Sequence, residues 1–572
     1  MRRLRNEKPV LSGGRRVSGF KAGERGQFTA EIADVKSGAW NFTQLFVNGE
    51  RRNRPRLPKS GYFKVAGFAG FDPNGKYNTP MNKFNYAEGD IRPNWTNIQD
   101  IETIVLHFWV DTHLQIAGID EATKTVTFDR FSRRKFTDDH SSKGARYYLS
   151  NIYKALDTPG EFYLNAKTGV LHYIPKPGED LEKAEVIAPR LSSLVRFAGN
   201  PKSGQFVDHI SLQGLTFSDV EWQLPKKDGG DTQAAEMVPA VISAEGARNC
   251  AIRDCVVRNS ATYGIELGSG CKENQIIRNE LCNLGAGGIK LSGGGVGSPE
   301  AEQTAKTQIT DNHIHDCGQI FHSAVGILLR HSAGNTVAHN HIHHLYYTAI
   351  SIGWVWGYKP SISRDNIVEF NHIHDIGQKV LSDMGGIYML GVSPGTVIRN
   401  NLLHDIDSWG YGGWGIYTDE GSSEIVIENN VVYRTKSGGF HQHYGRENIV
   451  RNNVFALARE EQVARSRAES HVSFTFERNI VYFAEGPLLG KNWKDDKFKL
   501  DYNVYFHAGG KPIAFPGGTF QDWKKRGFDQ NSIIADPMFN DPAKGDFSLK
   551  PDSPAFKLGF KAIDISKVGP RK

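Results

Sequence analysis

Asn312-His313-Ile314-His315, Asn340-His341-Ile342-His343 and Asn371-His372-Ile373-His374 are one pattern written three times. Looser copies flank them. Asn279-Glu280-Leu281-Cys282 comes before, and Asn401-Leu402-Leu403-His404, Asn430-Val431-Val432-Tyr433, Asn453-Val454-Phe455 and Asn479-Ile480-Val481-Tyr482 follow. Successive Asn residues lie 33, 28, 31, 30, 29, 23 and 26 positions apart. A period of this size is the signature of a solenoid. It is too short for a four-stranded propeller blade and lacks the leucine spacing of a horseshoe repeat. It fits one coil of a β-helix, with three short strands joined by turns. The Asn side chain tolerates left-handed backbone angles. At the ~4.8 Å spacing of paired strands it can also bond to the Asn one coil above and one below, so an internal amide ladder is predicted. The Ile and Val residues that follow stack into the core. One coil cannot bury its own apolar face, so the coils need one another.

A second pattern lies in the same coils: Gly264-Ile265, Gly288-Ile289, Gly326-Ile327, Ala349-Ile350, Gly386-Ile387, Gly415-Ile416 and Gly439-Phe440. The apolar residue is predicted to point inward. Period-two alternation then puts Glu266, Lys290, Leu328, Ser351, Tyr388, Tyr417 and His441 in one outward column. The next outward column is Gly268, Ser292, Arg330, Gly353, Leu390, Asp419 and His443. A merely solvated face would carry Thr, Ser, Lys and Asn. Charged, aromatic and imidazole groups in neighbouring coils read instead as a ligand groove. Loops at 222–236, 293–308, 354–364, 404–413 and 459–470 interrupt the coils, and loops on a rigid scaffold are where sites are built. Several carry aromatic residues: Trp354, Trp356, Tyr358, Trp409, Tyr411 and Trp414. Such rings either stack on sugar faces or pack down as lids.

The remaining composition bounds the function. The chain has 572 residues, 61 of them Gly, with 11% aromatic and 23% charged residues, which suits short strands and tight turns. Net charge is +6, too mild to argue for nucleic acid and no obstacle to an acidic polysaccharide. No apolar run reaches the ~18 residues of a membrane span. The basic start Met1-Arg2-Arg3-Leu4-Arg5 runs into Lys8-Pro9-Val10 without an apolar stretch, so it is not a signal peptide. Five cysteines, with no Cys-x-x-Cys, read as small buried hydrophobes. The expected fold class is all-β: a right-handed parallel β-helix over 185–550, with a first coil strand in 1–20, an inserted or packed β-rich domain over 21–184 and a C-terminal extension over 551–572. In the β-rich part, Glu102–Trp109 and Thr125–Phe128 read as strands. Gly160–Leu164 and Gly169–Pro175 read as a hairpin.

Two stretches carry a resemblance. Ser382-Asp383-Met384-Gly385-Gly386-Ile387-Tyr388 and Gly413-Trp414-Gly415-Ile416-Tyr417-Thr418-Asp419-Glu420-Gly421-Ser422-Ser423 resemble glycoside hydrolase family 141. Pro9-Val10-Leu11-Ser12-Gly13-Gly14 and Gln44-Leu45-Phe46-Val47-Asn48-Gly49 resemble its usual opening, and Ser553-Pro554-Ala555-Phe556 resembles the way related β-helix glycosidases finish. The resemblance spans nearly the whole chain. It implies a right-handed parallel β-helix, α-L-fucosidase or xylanase activity, and secretion or periplasmic export. It also implies two catalytic aspartates, at positions that match Asp383 and Asp419 here.

Hydrolysis of a glycosidic bond needs one carboxyl group to protonate the leaving oxygen and a second to attack or to activate water. On straight strands rising ~3.3 Å per residue, Asp383 and Asp419 would stand about 23 Å apart. A sharp turn at Gly385-Gly386 is therefore expected to bring Asp383 over the groove. Glu420, Glu266 and Asp407 are the alternative carboxylates. Lys290, His322, Arg330, His331, His441 and His443 are candidate substrate binders with Trp354, Trp356, Trp409, Tyr388 and Tyr417. Arg330 suits a uronate. His315, His343 and His374, one per coil and away from carboxylates, read as a stack, so no metal and no cofactor are expected. The expected partner is a polysaccharide or oligosaccharide, with neither nucleic acid nor membrane; the residues leave the oligomeric state open. Two rivals stand beside the hydrolase: a uronate lyase using Lys290, Arg330 and His441, and a non-catalytic carbohydrate-binding β-helix.

Overall fold

The structure is a computed structural model that describes residues 7–571. Most of the chain winds as a right-handed parallel β-helix of three long sheets with 13, 10 and 11 strands. Each coil contributes one strand to each sheet. In one coil these are Ile327–Arg330, Thr336–Ala338 and His341–Leu345. Equivalent residues pair in register from coil to coil, so Ile314, Ile342, Ile373, Leu403 and Val432 form one column. Every one of these five is fully buried. The coils thus share one continuous apolar interior that none could form alone.

The amide ladder is present. From Asn279 through Asn453, each Asn donates its backbone N–H and its Nδ2 to the Oδ1 of the Asn in the following coil, at 2.9–3.0 Å. The left-handed backbone expected at the Asn falls one residue earlier. Asp311, His339, Phe370 and Asn400 have φ of 59°, 57°, 54° and 55°. The Asn must aim both of its donors along the stack, so the preceding residue turns the corner. That residue's side chain points away, which lets its identity vary.

Val10–Ser12 pairs in parallel with Thr216–Ser218 in the 13-stranded sheet. Between these strands the chain builds three smaller antiparallel sheets. In the largest, Glu102–His107 lies between Val110–Asp120 and Arg146–Ser150. Phe162–Asn165 and Val170–Tyr173 form a hairpin. Ile104 and Leu106 of this region share a buried cluster with Ala234 and Leu328. Leu328, placed in the outward column, is therefore roofed over rather than solvated.

The far end is closed as well. Asn503 donates its Nδ2 to Asp529 Oδ1 at 3.1 Å, so the ladder stops on a carboxylate. Asp529 also accepts from Tyr505 and from Trp523 Nε1, at 3.0 and 2.8 Å. Trp523 sits on the short helix Phe520–Lys525 and is fully buried. Phe539, Phe547 and Phe560 then cover the outer side of Val431, Val454, Ile480 and Val504. All five cysteines are free thiols, and only Cys282 is not fully buried. Among the described residues, no helix is long and apolar enough to cross a membrane.

Candidate active site

Asp383 and Asp419 come together. Tyr417 Oη lies 3.1 Å from Asp383 Oδ1 and 2.8 Å from Asp419 Oδ1. Tyr388 donates to Asp419 Oδ2 at 2.6 Å, and Tyr411 donates to Asp383 Oδ2 at 3.2 Å. Tyr388 and Tyr417 are neighbours in the outward column of the 10-stranded sheet, with rings 5.2 Å apart edge to face. Asp419 follows two residues after Tyr417, so period two sets both on the same face.

The turn that brings Asp383 in is not made at Gly385-Gly386, which already belong to the strand Gly385–Leu390. It is made at Asp383 itself, with φ of 57°. The two glycines serve packing instead. A Cβ on Gly386 would lie 2.6 Å from Ile406 Cδ1, and one on Gly385 would lie 2.9 Å from Tyr417 Cβ. Gly412, at φ +98°, lets the neighbouring loop pass so close that a Cβ there would sit 2.8 Å from the Met384 nitrogen. The left-handed Asp383 is held from several sides. Its N–H donates to Tyr411 O at 2.8 Å, and its carbonyl accepts from Tyr347 Oη at 2.7 Å.

The antiparallel domain clamps this corner. Ser382 donates its N–H to Phe108 O at 2.8 Å and its hydroxyl to Asp139 at 2.7 Å. Arg146 donates to Val380 O at 2.5 Å and lies 3.6 Å from the centre of the Trp409 ring. Trp409 Nε1 donates to Asp138 at 2.8 Å. Trp409 was expected at the sugar. Arg146 covers one of its faces and Asp138 holds its Nε1, which fastens the loop that carries Tyr411, while the residue stays 37% exposed.

The electrostatics separate the two carboxyl groups. Burial, and then the charge of Asp419, push Asp383 up to about 8. Burial also raises Asp419, but the phenol of Tyr388, the charge of His443 and the phenol of Tyr417 oppose the rise. A single phenol hydrogen cannot serve two carboxylates. Two mirror arrangements satisfy all three groups, and the higher proton affinity of Asp383 selects the one in which protonated Asp383 donates to Tyr417, which donates to ionised Asp419. Nearby, burial raises Asp139 to about 6.

The other residues read from the sequence divide in two. His441 lies beneath Tyr417, stacked at 4.8 Å, with its Nε2 2.5 Å from Ser466 Oγ. It is buried and supports the phenol from below, which corrects its expected place at the substrate. His443 faces Asp419 and is only partly buried. Glu420 accepts from Tyr444 at 2.9 Å. Trp356 is 45% exposed and stands edge to face against Trp354, which is buried. Burial takes Trp354 away from any sugar, and its Nε1 donates to Ser351 at 3.1 Å.

Lys290, Glu266 and Arg330 stand elsewhere on the sheet. Lys290 is 3% exposed and bonds Glu236 O, Val238 O and Glu266 Oε1 at 2.8, 2.9 and 3.2 Å. Arg330 pairs with Glu236 at 2.5 Å. These cations were expected at the ligand. Glu266 and Glu236 already neutralise them. His322 bonds Asp111 at 2.9 Å, in a chain of groups that continues through His113 to Glu102. Glu102, His113 and His322 of that chain line a separate cavity of about 770 Å³ between the antiparallel domain and the coils, which neither Asp383 nor Asp419 lines. Burial alone would lower His113, but its hydrogen bonds to Asp111 and Glu102 raise it to about 10. His331 sits at a left-handed corner with φ of 49°. Asp407 pairs with Arg459 at 2.8 Å on the outside.

Sequence reasoning missed Tyr347, Asp139 and Ser382. Tyr347 precedes the repeat pattern and occupies no repeated position, and Asp139 reaches the site across 243 residues of chain to Ser382.

The fold and the site together define a β-helix with a partly buried pair of carboxyl groups at its 10-stranded sheet. Known proteins share the scaffold. Residues 240–405 and 355–479 match the family model described as right handed beta helix region. A solved structure described as a glycoside hydrolase superimposes with a TM-score of 0.65, over 85% of this chain and 84% of that one, at 20% identity. At that identity the likeness is one of fold. An uncharacterised protein of Bacillus subtilis (strain 168), YwoF, is 29% identical over 198 residues. That match spans 30% of this chain and 40% of YwoF.

Proposed function

We propose that this protein is a glycoside hydrolase that cleaves a polysaccharide or oligosaccharide, with Asp383 as general acid and Asp419 as nucleophile. One observation carries the reading: two partly buried carboxyl groups of unequal proton affinity meet at the Tyr417 hydroxyl. The protonated group can give its proton to the leaving oxygen, and the ionised one can attack the anomeric carbon. Both carboxyl oxygens lie within hydrogen-bond reach of one phenol, so they are at most about 6 Å apart, below the ~6.5–9.5 Å that leaves room for an inverting water. The reaction therefore retains anomeric configuration through a glycosyl-Asp419 intermediate. Partly exposed His443 and exposed Trp356 are placed to contact the sugar.

α-L-Fucosides and xylan are the first substrates to assay, with uronate polymers beside them. We expect new reducing ends, first-formed product of unchanged anomeric configuration by NMR, and no absorbance from an unsaturated uronate end. Unsaturated ends would make the protein a lyase. A first-formed product of inverted configuration would remove Asp419 as nucleophile. Polymeric substrates of this kind are met outside the cytoplasm, which is why secretion or periplasmic export belongs to this reading.

A further inference from the structure

The 13-stranded sheet carries two columns of imidazoles on its outer face, away from the carboxyl pair. In the first column, His313, His341 and His372 stack nearly parallel, with ring centres 4.9 and 5.0 Å apart. In the second, His315, His343, His374 and His404 stack at 5.1, 4.9 and 5.0 Å. The columns meet on a diagonal through their Nε2 atoms: His313 with His343 at 2.8 Å, His341 with His374 at 2.8 Å, and His372 with His404 at 2.9 Å.

The far side of the second column fixes its tautomers. Nδ1 of His315, His374 and His404 lies 2.7, 2.7 and 2.6 Å from the carboxylates of Asp316, Asp375 and Asp405. An ionised carboxylate only accepts, so each Nδ1 carries the hydrogen and each Nε2 keeps its lone pair. A carboxylate behind an imidazole, orienting the opposite nitrogen, is the outer support of a metal-ligating histidine. These carboxylates correct the expectation that the histidines stand apart from acidic groups.

We propose that this strip is a transition-metal site, centred on His341, His372 and His374, that takes one Zn²⁺ or a similar divalent ion per chain. Their ligand nitrogens lie within 4.8 Å of one another. An ion holding each nitrogen at ~2.1 Å draws them to about 3.4 Å apart, a change within reach of surface rings that turn about χ2. The rings are partly exposed, which gives the ion a path in. Imidazoles must be neutral to bind metal. His313, His341 and His343 form a second such group, and Glu280, His313 and His315 a third. The first two share His341, so occupying one takes a ligand from the other; the third shares no ligand with the central group but offers only two imidazoles, which makes it the weaker competitor.

The test uses the full chain, freed of metal by chelation and titrated with Zn²⁺ by calorimetry and with Co²⁺ by visible absorption. We expect saturable binding of one ion per chain. His341→Gln removes the central ligand and weakens binding by at least about 10-fold. Asp375→Asn keeps every imidazole and weakens it by about 10-fold. His209→Gln, at an exposed turn, leaves it unchanged. If His341→Gln does not fold, Asp375→Asn decides. Absence of saturable binding in the native chain overturns the proposal. So does unchanged affinity in both folded variants, which would put the ion elsewhere.

Discussion

Two stretches of one sheet face put charge to opposite ends. In the coils of Glu266, Lys290 and Arg330, opposite charges alternate. Lys290 meets Glu266 and two carbonyls, and Arg330 meets Glu236. In the coils of Tyr388 and Tyr417, two carboxyl groups meet with phenols between them, and among the described residues no Lys or Arg is bonded to either. The register and the strand geometry are the same. Only the pairing differs. A neutralised cluster stabilises the roof over the coils. A like-charge pair without a Lys or Arg partner holds one proton at neutral pH, and that proton is available for chemistry.

The contrast can be broken most sharply at the carboxyl pair. Asp383→Asn and Asp419→Asn each lower kcat by roughly a thousandfold on a cleaved substrate, with melting curves that show an intact fold. Lys290→Met has the converse effect. It strands Glu266 and two carbonyls, so denaturant titration reads a loss of about 3 kcal/mol, while activity of the folded protein stays within about threefold of native. Tyr417→Phe removes the hydroxyl that joins the two acids. It lowers kcat by about 10- to 100-fold, as expected for one hydrogen bond to a charged group, with little change in KM.

The smallest effect is a pH dependence. The folded protein holds the Asp383 proton up to about 8, whereas the unfolded chain releases it near ~3.9. The folded state thus binds more protons over this window, and the contribution of Asp383 to stability falls as pH rises through it. Activity drops above about 8 for the same reason. Asp383→Asn should melt about 1–3 °C higher than native at pH 8 and flatten the stability profile, which thermal melts across pH would read.

The coil was legible because its cause is periodic. Asn, Ile and the outward columns recur at the spacing of one turn, and pairing across coils follows directly. Tyr417 and Asp419 could be read on one face for the same reason. Asp383 could be marked only by resemblance, because its position depends on a single left-handed residue and on a domain that arrives from more than two hundred residues away. The cations misled. Period two placed Lys290 and Arg330 outward correctly, but the loop residue Glu236, which absorbs the charge of Arg330, lies outside the repeat. His441 shows the same limit: an outward position becomes an inner one when the neighbouring Tyr417 ring lies over it.

A stack of parallel strands has open rungs at both ends, and rungs of this spacing readily recruit further chains into fibrils. The carboxylate of Asp529 closes the amide ladder with an acceptor where the next coil would present an Asn. Trp523 and its short helix lie across the apolar bore. The plug therefore sets molecular length as well as stability. Without it, the features that make the coils cohere within one chain would make separate chains polymerise.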